Sequence, residues 1–177
     1  SIDAWTMAFG FGIQIYFDFS AYSHMAIGIS KIIGLPIKEN FCFPYLAKSA
    51  TEFWRRWHIS LSSWVNDYLY SYLKFKLPNW FYGALPLLLT WGIMGIWHGS
   101  SWRFVIWGLL NGCFVLIHRL YKNSLSNYNF LSFLSNPVLS WLITLFATMS
   151  TWIYFRESEW EKANTLFFKL WEFDLNL

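Results

Sequence analysis

Residues 77–102 read LPNWFYGALPLLLTWGIMGIWHGSSW, with no Lys, Arg, Asp or Glu among them. Such a run suits a lipid bilayer, whose hydrocarbon core takes about 20 predominantly apolar residues of helix to cross. The stretch ends on one titratable side chain, His98, set between Gly95 and Gly99 and flanked by Trp97 and Trp102. An ionisable group at membrane depth is costly and faces a bundle interior or a wet cavity. Fold class and functional site are therefore posed by the same residues.

Two further stretches lack charge, Phe104 to Ile117 and Asn123 to Phe155. Spans are expected near Phe81–Trp97, Trp102–Leu120 and Val138–Phe155. Upstream, the apolar runs Ala4–Tyr16 and Phe19–Leu35 are parted by Asp18. They read as one long kinked helix or two short ones, closed by Gly34 and Pro36. Asn123 to Pro137 reads as a Ser/Asn-rich loop. After Arg156, ESEWEKANTLFFKLWEF places Trp160, Ala163, Leu166, Phe167, Leu170 and Trp171 at helical spacing with charges between them. That pattern predicts an amphipathic helix on the surface. The expected fold class is all-α: a multi-span transmembrane helical protein with a re-entrant helix and an amphipathic surface helix.

Composition points the same way. The 177 residues are 56% hydrophobic, 23% aromatic and 13% charged, against ~25% charged in soluble domains. Abundant Trp and Tyr suit the membrane–water interface. The net charge of +3 is small and the bases form no patch, so no nucleic-acid partner is expected. Cys42 and Cys113 make neither a disulfide framework nor a CxxC pair. Four histidines without HxxxH or HExxH spacing argue against a metal. No P-loop, GxGxxG or GxSxG motif supports a soluble enzyme. The chain begins at Ser1 without a signal-peptide pattern, and residues 1–177 are expected to be one transmembrane region, the C-terminal part of a longer chain. Alternating spans place Lys74, Lys76, Arg119 and Lys122 on one face, joined by Lys31, Lys38 and Lys48. Arg103, Arg156 and Lys162 fall on the other. The positive-inside bias makes the first face cytoplasmic and turns His98 outward.

Ser49 to Lys76 differs from its neighbours. Ser49 or Thr51 can cap a helix with Glu52 in its first turn. TEFWRRWHISLSSWVNDYLYSYLK is too polar to cross a bilayer unaided and too aromatic for a solvated helix. An interfacial or re-entrant helix near Thr51–Trp64 is expected. Trp54, His58 and Ser62, at i, i+4 spacing, would share one face. Arg55 and Arg56 would point elsewhere, toward ligand phosphates or lipid headgroups. A His that merely ties this helix to its neighbours is the plainer reading of His58, and local pattern slightly favours it. Asp67 reads as the partner of an arginine. For His98 two readings stay open: a general base with room for substrate beside Gly95 and Gly99, or an interfacial His bonded to a carbonyl. His118 reads as interfacial, and nothing near His24 gives it a task.

In order, YFDFSAYSHMAIGISKIIGLPIKENFCFPYLAKSATEFWRRWHISLSSWVNDYLY, GIWHGSSWRFVIWGLLNG and WIYFR resemble the membrane-bound O-acyltransferase family, in its bacterial branch of alginate O-acetylation and teichoic-acid D-alanyl transfer proteins. The resemblance covers nearly the whole chain, and FWRRWHISLS followed by WHG is its most specific part. It implies a multi-pass enzyme of the inner (plasma) membrane. Such an enzyme moves an acyl group, acetyl in the first instance, from a thioester donor toward a hydroxyl of an extracellular or cell-envelope polysaccharide. The donor would be acyl-CoA or an acyl-carrier thioester, with no bound cofactor and with a soluble or periplasmic acyltransferase as a further partner. It implies that His98 is the catalytic histidine at the base of an acceptor-side funnel. His58 would be the second characteristic histidine, near the cytoplasmic entrance, and the second catalytic residue beside His98. Around them, Trp54, Arg55, Trp97 and Trp102 are the candidate substrate-binding residues. The rival class is a transporter or channel with His98 in its pathway. Transporters usually carry repeat symmetry and paired broken helices, and the sequence shows neither.

Overall fold

A computed structural model describes residues 2–77, 83–125 and 133–172, and among them the chain is helical with no strand. The first helix, α1 (Ile2–Ile32), runs without interruption through Asp18. One carboxylate neither removes a backbone donor nor adds a clash, so it does not break a helix. Gly34 does end it: at φ +76° it lets the Leu35 N–H return to the Ser30 carbonyl at 2.8 Å, a C-terminal closure natural to glycine.

The segment expected as one re-entrant helix is two short ones, α2 (Ala50–Arg56) and α3 (Ile59–Trp64). Ser49 caps α2 by accepting the Glu52 N–H at 3.1 Å, and Glu52 accepts the Lys48 N–H at 2.7 Å, a reciprocal arrangement that satisfies two orphan donors. The break falls on His58, whose backbone is left-handed at φ 45°. Its cause lies outside the segment. The Asn40 carbonyl accepts from Ile59 N–H (2.9 Å) and its side-chain oxygen from Ser60 N–H (3.0 Å), while Cys42 N–H donates to the Arg56 carbonyl (3.0 Å). Those are groups a continuous helix would pair within itself. The shared helical face expected for Trp54, His58 and Ser62 is therefore replaced by a corner. A π-helical stretch, Val65–Tyr70, then leads into α4 (Ser71–Lys76).

Helices α5 (Ala84–His98) and α6 (Trp102–Leu120) form an antiparallel hairpin. They cross so closely that a Cβ at Gly95 would overlap the Phe104 carbonyl, and one at Gly108 the Trp91 carbonyl. Helix α7 (Pro137–Arg156) starts on Asn136, whose side-chain oxygen accepts from Val138 and Leu139 N–H, with Pro137 at the first helical position, where its missing donor costs nothing. Helix α8 (Trp160–Trp171) buries Ala163 and Leu170 and leaves Glu161, Lys162 and Lys169 exposed, but Trp160 and Trp171, expected on the apolar face, are exposed as well.

Among the described residues, two segments are long and apolar enough to cross a membrane, Trp102–Asn123 and Pro137–Arg156. The run expected to span from Phe81 is, among described residues, the 15-residue α5, short for a bilayer core. Residues 78–82, and the middle of the expected Ser/Asn-rich loop (126–132), lie outside the described residues. The core is aromatic: Phe53, Trp57, Trp107 and Trp152 are all buried. Trp152 packs against Trp57 at 5.1 Å and Trp107 at 6.0 Å between ring centroids. This core joins α2, α6 and α7, and both histidines of interest lie against its edge.

Candidate active site

His98 is the last residue of α5, where Gly99 turns the chain toward α6. Four rings enclose its imidazole: Trp97 at 4.8 Å, Trp107 at 4.9 Å, Phe155 at 5.0 Å and Phe104 at 6.5 Å. Neither ring nitrogen has a hydrogen-bond partner among the described residues. Aromatic packing alone orients the ring, and no protein group fixes which nitrogen carries the proton.

His58 reaches the same cavity from the corner between α2 and α3, with Phe19 of α1 edge-on at 4.6 Å. Burial pushes its imidazole below the ordinary 6.5, to about 4, because desolvation disfavours the charged form. It is neutral near pH 7. The cavity holds about 480 Å³, and its remaining polar lining is Asp18 and Ser62. Trp54 and Trp97 also form its wall. Trp102 does not: it is 74% exposed. Sequence reasoning passed over three contributors. Trp107 looked like one more apolar residue of a span. Ser62 entered only as a neighbour on the helix face of His58. Asp18 was visible only as an interruption, yet it lines the cavity that holds both histidines and has no hydrogen bond or ion pair among the described residues.

Arg55 belongs to a second cavity of about 380 Å³, together with Asn66, Asp67, Tyr70 and Arg119. Arg119 donates to the Tyr70 hydroxyl at 2.8 Å and lies over its ring. Asp67, expected to pair an arginine, instead accepts from the Asn66 amide at 3.0 Å. Neither outlying histidine lines a cavity: His118 pairs with Thr51 (3.1 Å), a wall residue of the arginine cavity, and exposed His24 approaches Glu39 (3.6 Å). No group of three His, Cys, Asp or Glu among the described residues could hold a metal.

The two cavities share Trp54, Ser62 and Met94. Along α5, Leu87, Thr90 and Trp91 face the arginine cavity, Met94 faces both, and Trp97 and His98 face the aromatic one. The cavities are stacked end to end, meeting at Met94, with His98 about 6 Å further along at ~1.5 Å per residue. Trp54 is braced there by Trp91 at 4.7 Å and Trp107 at 5.7 Å. Ser62 is tied to the Trp57 carbonyl at 3.1 Å. Chemically, one end offers two guanidinium groups suited to phosphate or carboxylate. The other offers two imidazoles in an aromatic setting, able to accept a proton.

The family model for MBOAT, the membrane-bound O-acyltransferase family, matches residues 4–158. Among curated relatives, the Probable alginate O-acetylase AlgI of Azotobacter vinelandii is 39% identical over 171 residues, covering 97% of this chain and 33% of that protein. The Peptidoglycan O-acetyltransferase of Helicobacter pylori is 38% identical over 162 residues, covering 92% and 30%. The Teichoic acid D-alanyltransferase of Bacillus subtilis is 30% identical over 130 residues, covering 70% and 33%. The chain thus spans about a third of the length of the relatives it matches.

Proposed function

The chain belongs to the membrane-bound O-acyltransferase family, and from that premise we propose that it carries the reacting centre of a polysaccharide O-acyltransferase. The acyl group, acetyl in this reading, moves from a thioester donor toward a hydroxyl of an extracellular or cell-envelope polysaccharide. The donor is acyl-CoA or an acyl-carrier thioester. The setting is the inner membrane, crossed several times, with α2–α3 as a re-entrant corner and α8 lying along the surface. A soluble or periplasmic acyltransferase is the expected further partner.

One observation carries this reading: an arginine-lined cavity and a histidine-lined cavity meet end to end at Trp54, Ser62 and Met94. Both donor types carry phosphate beside a long pantetheine arm that ends in the thioester. Arg55 and Arg119 suit the phosphate end. The arm reaches past Met94, which brings the thioester carbonyl toward His98. The acceptor hydroxyl meets it from the His98 side. The hydroxyl oxygen attacks the carbonyl carbon, a C–O bond forms, and the C–S bond breaks. The hydroxyl proton passes to the His98 imidazole and from there to the departing thiolate. An ester and a free thiol leave, and the imidazole is neutral again. His58 lines the path between the two ends and, uncharged, leaves the neutral thioester unopposed by a buried cation. Family membership speaks against the transporter or channel alternative.

The test is donor turnover by the full-length protein in vesicles, with labelled acetyl thioester and polysaccharide supplied on opposite sides. Label is expected on the polysaccharide as a base-labile ester. Thioester consumed without labelled ester, even with the soluble partner added, would overturn the reading.

A further inference from the structure

The four rings around His98 raise the question of what holds the rings. Two of them, Phe104 and Phe155, pack edge to face at 5.3 Å. They come from opposite helix ends, the start of α6 and the finish of α7, and one residue joins those ends. Arg103 directs Nη1 at three carbonyls of the α7 terminus: Glu157 at 2.9 Å, Phe155 at 3.0 Å and Tyr154 at 3.4 Å. Last-turn carbonyls lack partners within their own helix, so the guanidinium supplies what they need. Its plane lies 4.1 Å over the Phe104 ring.

We propose that Arg103 is a positioning residue for His98, acting through Phe155 and Phe104 rather than by touching substrate. The inference rests on the acyl-transfer reading of His98. In many acid–base sites a carboxylate orients the histidine by a hydrogen bond. His98 has no such partner among the described residues, so its direction depends on where its ring walls stand. Capping the α7 end is stabilising in its own right, and positioning His98 is the role added to it. Arg103 sits at the positive end of its own helix, where a cation is disfavoured, while its guanidinium reaches the negative end of α7, where a cation is favoured. Its Nε is buried without a partner, which costs free energy that an apolar side chain would not incur. What the guanidinium supplies is a planar, multi-donor link between two helix ends that a methionine or leucine could not make.

The experiment is steady-state acyl transfer by full-length Arg103→Met, Arg103→Lys, Phe155→Leu and the Arg103→Met/Phe155→Leu double variant, with rates expressed per folded molecule. A misplacement of about 1 Å can cost ~10²-fold in rate. Arg103→Met is expected to lower kcat by 10- to 100-fold (on the order of that figure) with donor and acceptor KM unchanged. Arg103→Lys is expected to recover part of it. The double variant should be little worse than the worse single, because both act on one wall. Unchanged kcat per folded molecule in Arg103→Met, with only a lower melting temperature, would overturn the inference. So would multiplicative losses in the double variant. His98→Ala, run alongside, separates the two levels. If His98→Ala keeps activity, the acyl-transfer reading fails. If it loses activity while Arg103→Met does not, only the positioning role fails.

Discussion

His98 and His58 face one cavity, yet the chain embeds them in opposite ways. His98 closes a regular helix, keeps ordinary backbone geometry and is oriented by four rings from three elements. His58 sits at a broken helix, in a backbone conformation that non-glycine residues seldom adopt, with a single ring against it. Where the backbone is regular, side-chain packing does the placing. Where packing is sparse, the backbone does it, at a cost of roughly 1–3 kcal/mol for a non-glycine residue held in the left-handed region. The difference fits a division of labour in which His98 meets the reacting atoms and His58 shapes the path to them.

Substitution tests that division most sharply. His98→Ala should cost about 10²–10⁴-fold in acyl transfer, the usual worth of a positioned general base. His58→Ala should cost on the order of tenfold, well below a base's worth. Equal losses, measured as turnover at saturating donor in matched membranes, would erase the distinction. Next in size, Arg55→Ala should raise the donor KM by about 10–100-fold, since hydrogen bonds to charged groups are worth ~1.5–3 kcal/mol. The acceptor KM should stay unchanged. A shift confined to the acceptor would put the phosphate end elsewhere.

The backbone side of the comparison predicts a stability order. His58→Gly frees the strained position, whereas His58→Ala keeps the strain and loses the ring. The Gly variant should be the more stable of the two by about 1 kcal/mol, read as melting temperature in detergent. The reverse order would mean that the left-handed corner does not survive in the bilayer. Proton linkage adds a smaller effect. Between its ordinary 6.5 and about 4, an unfolded His58 binds a proton that the folded imidazole refuses. Stability contributed by the neutral ring is therefore full above that window and is lost as pH falls through it. Acidification from pH 6.5 toward 4 should lower the melting temperature more in the wild type than in His58→Gly. Parallel curves would show that His58 is not held neutral.

The smallest effect lies at the turn between α7 and α8. Burial acts to raise the Glu157 carboxyl, but Lys162 at 3.2 Å and the N–H groups of Glu159 and Ser158 outweigh it and hold it below the carboxylate range. Lys162 is 58% exposed, so Lys162→Ala should cost no more than about 1 kcal/mol. A larger loss of stability would make that turn a principal strut of the Arg103 end.

Much of the regular half was legible in the chain. Helix α6 matches its expected limits because Gly99-Ser100-Ser101 precedes, and Arg119 closes, an apolar run whose interior, Phe104 to Ile117, carries no charge. Helix α7 begins one residue before its expected start because Asn136-Pro137 is a cap and first turn. On α8 the spacing puts Ala163 and Leu170 inside, while Trp160 and Trp171, expected on the same face, are exposed. The irregular half was legible only in composition. Nothing within FWRRWHISLS announces a break, since Trp54, His58 and Ser62 keep helical spacing through it. The break is imposed by Asn40 and Cys42, which lie in a separate loop upstream. The role of Arg103 was hidden for the same reason. It reads as one of a few outer-face cations until α7, some fifty residues later (Tyr154 to Glu157), brings its carbonyls back to it. Periodicity carries local structure, while these features depend on contacts between distant segments.

The proton-accepting role of His98 is tested most directly by single-turnover acyl transfer in the full-length protein carrying His98→Gln. Glutamine keeps hydrogen-bonding capacity and similar bulk but cannot take up a proton near neutral pH. With donor prebound and acceptor mixed in, the rate of ester formation should fall as far as in His98→Ala, by about 10²–10⁴-fold, at unchanged donor binding. A Gln variant that forms ester at close to the wild-type rate would contradict the base role and leave His98 as a residue that only shapes the cavity.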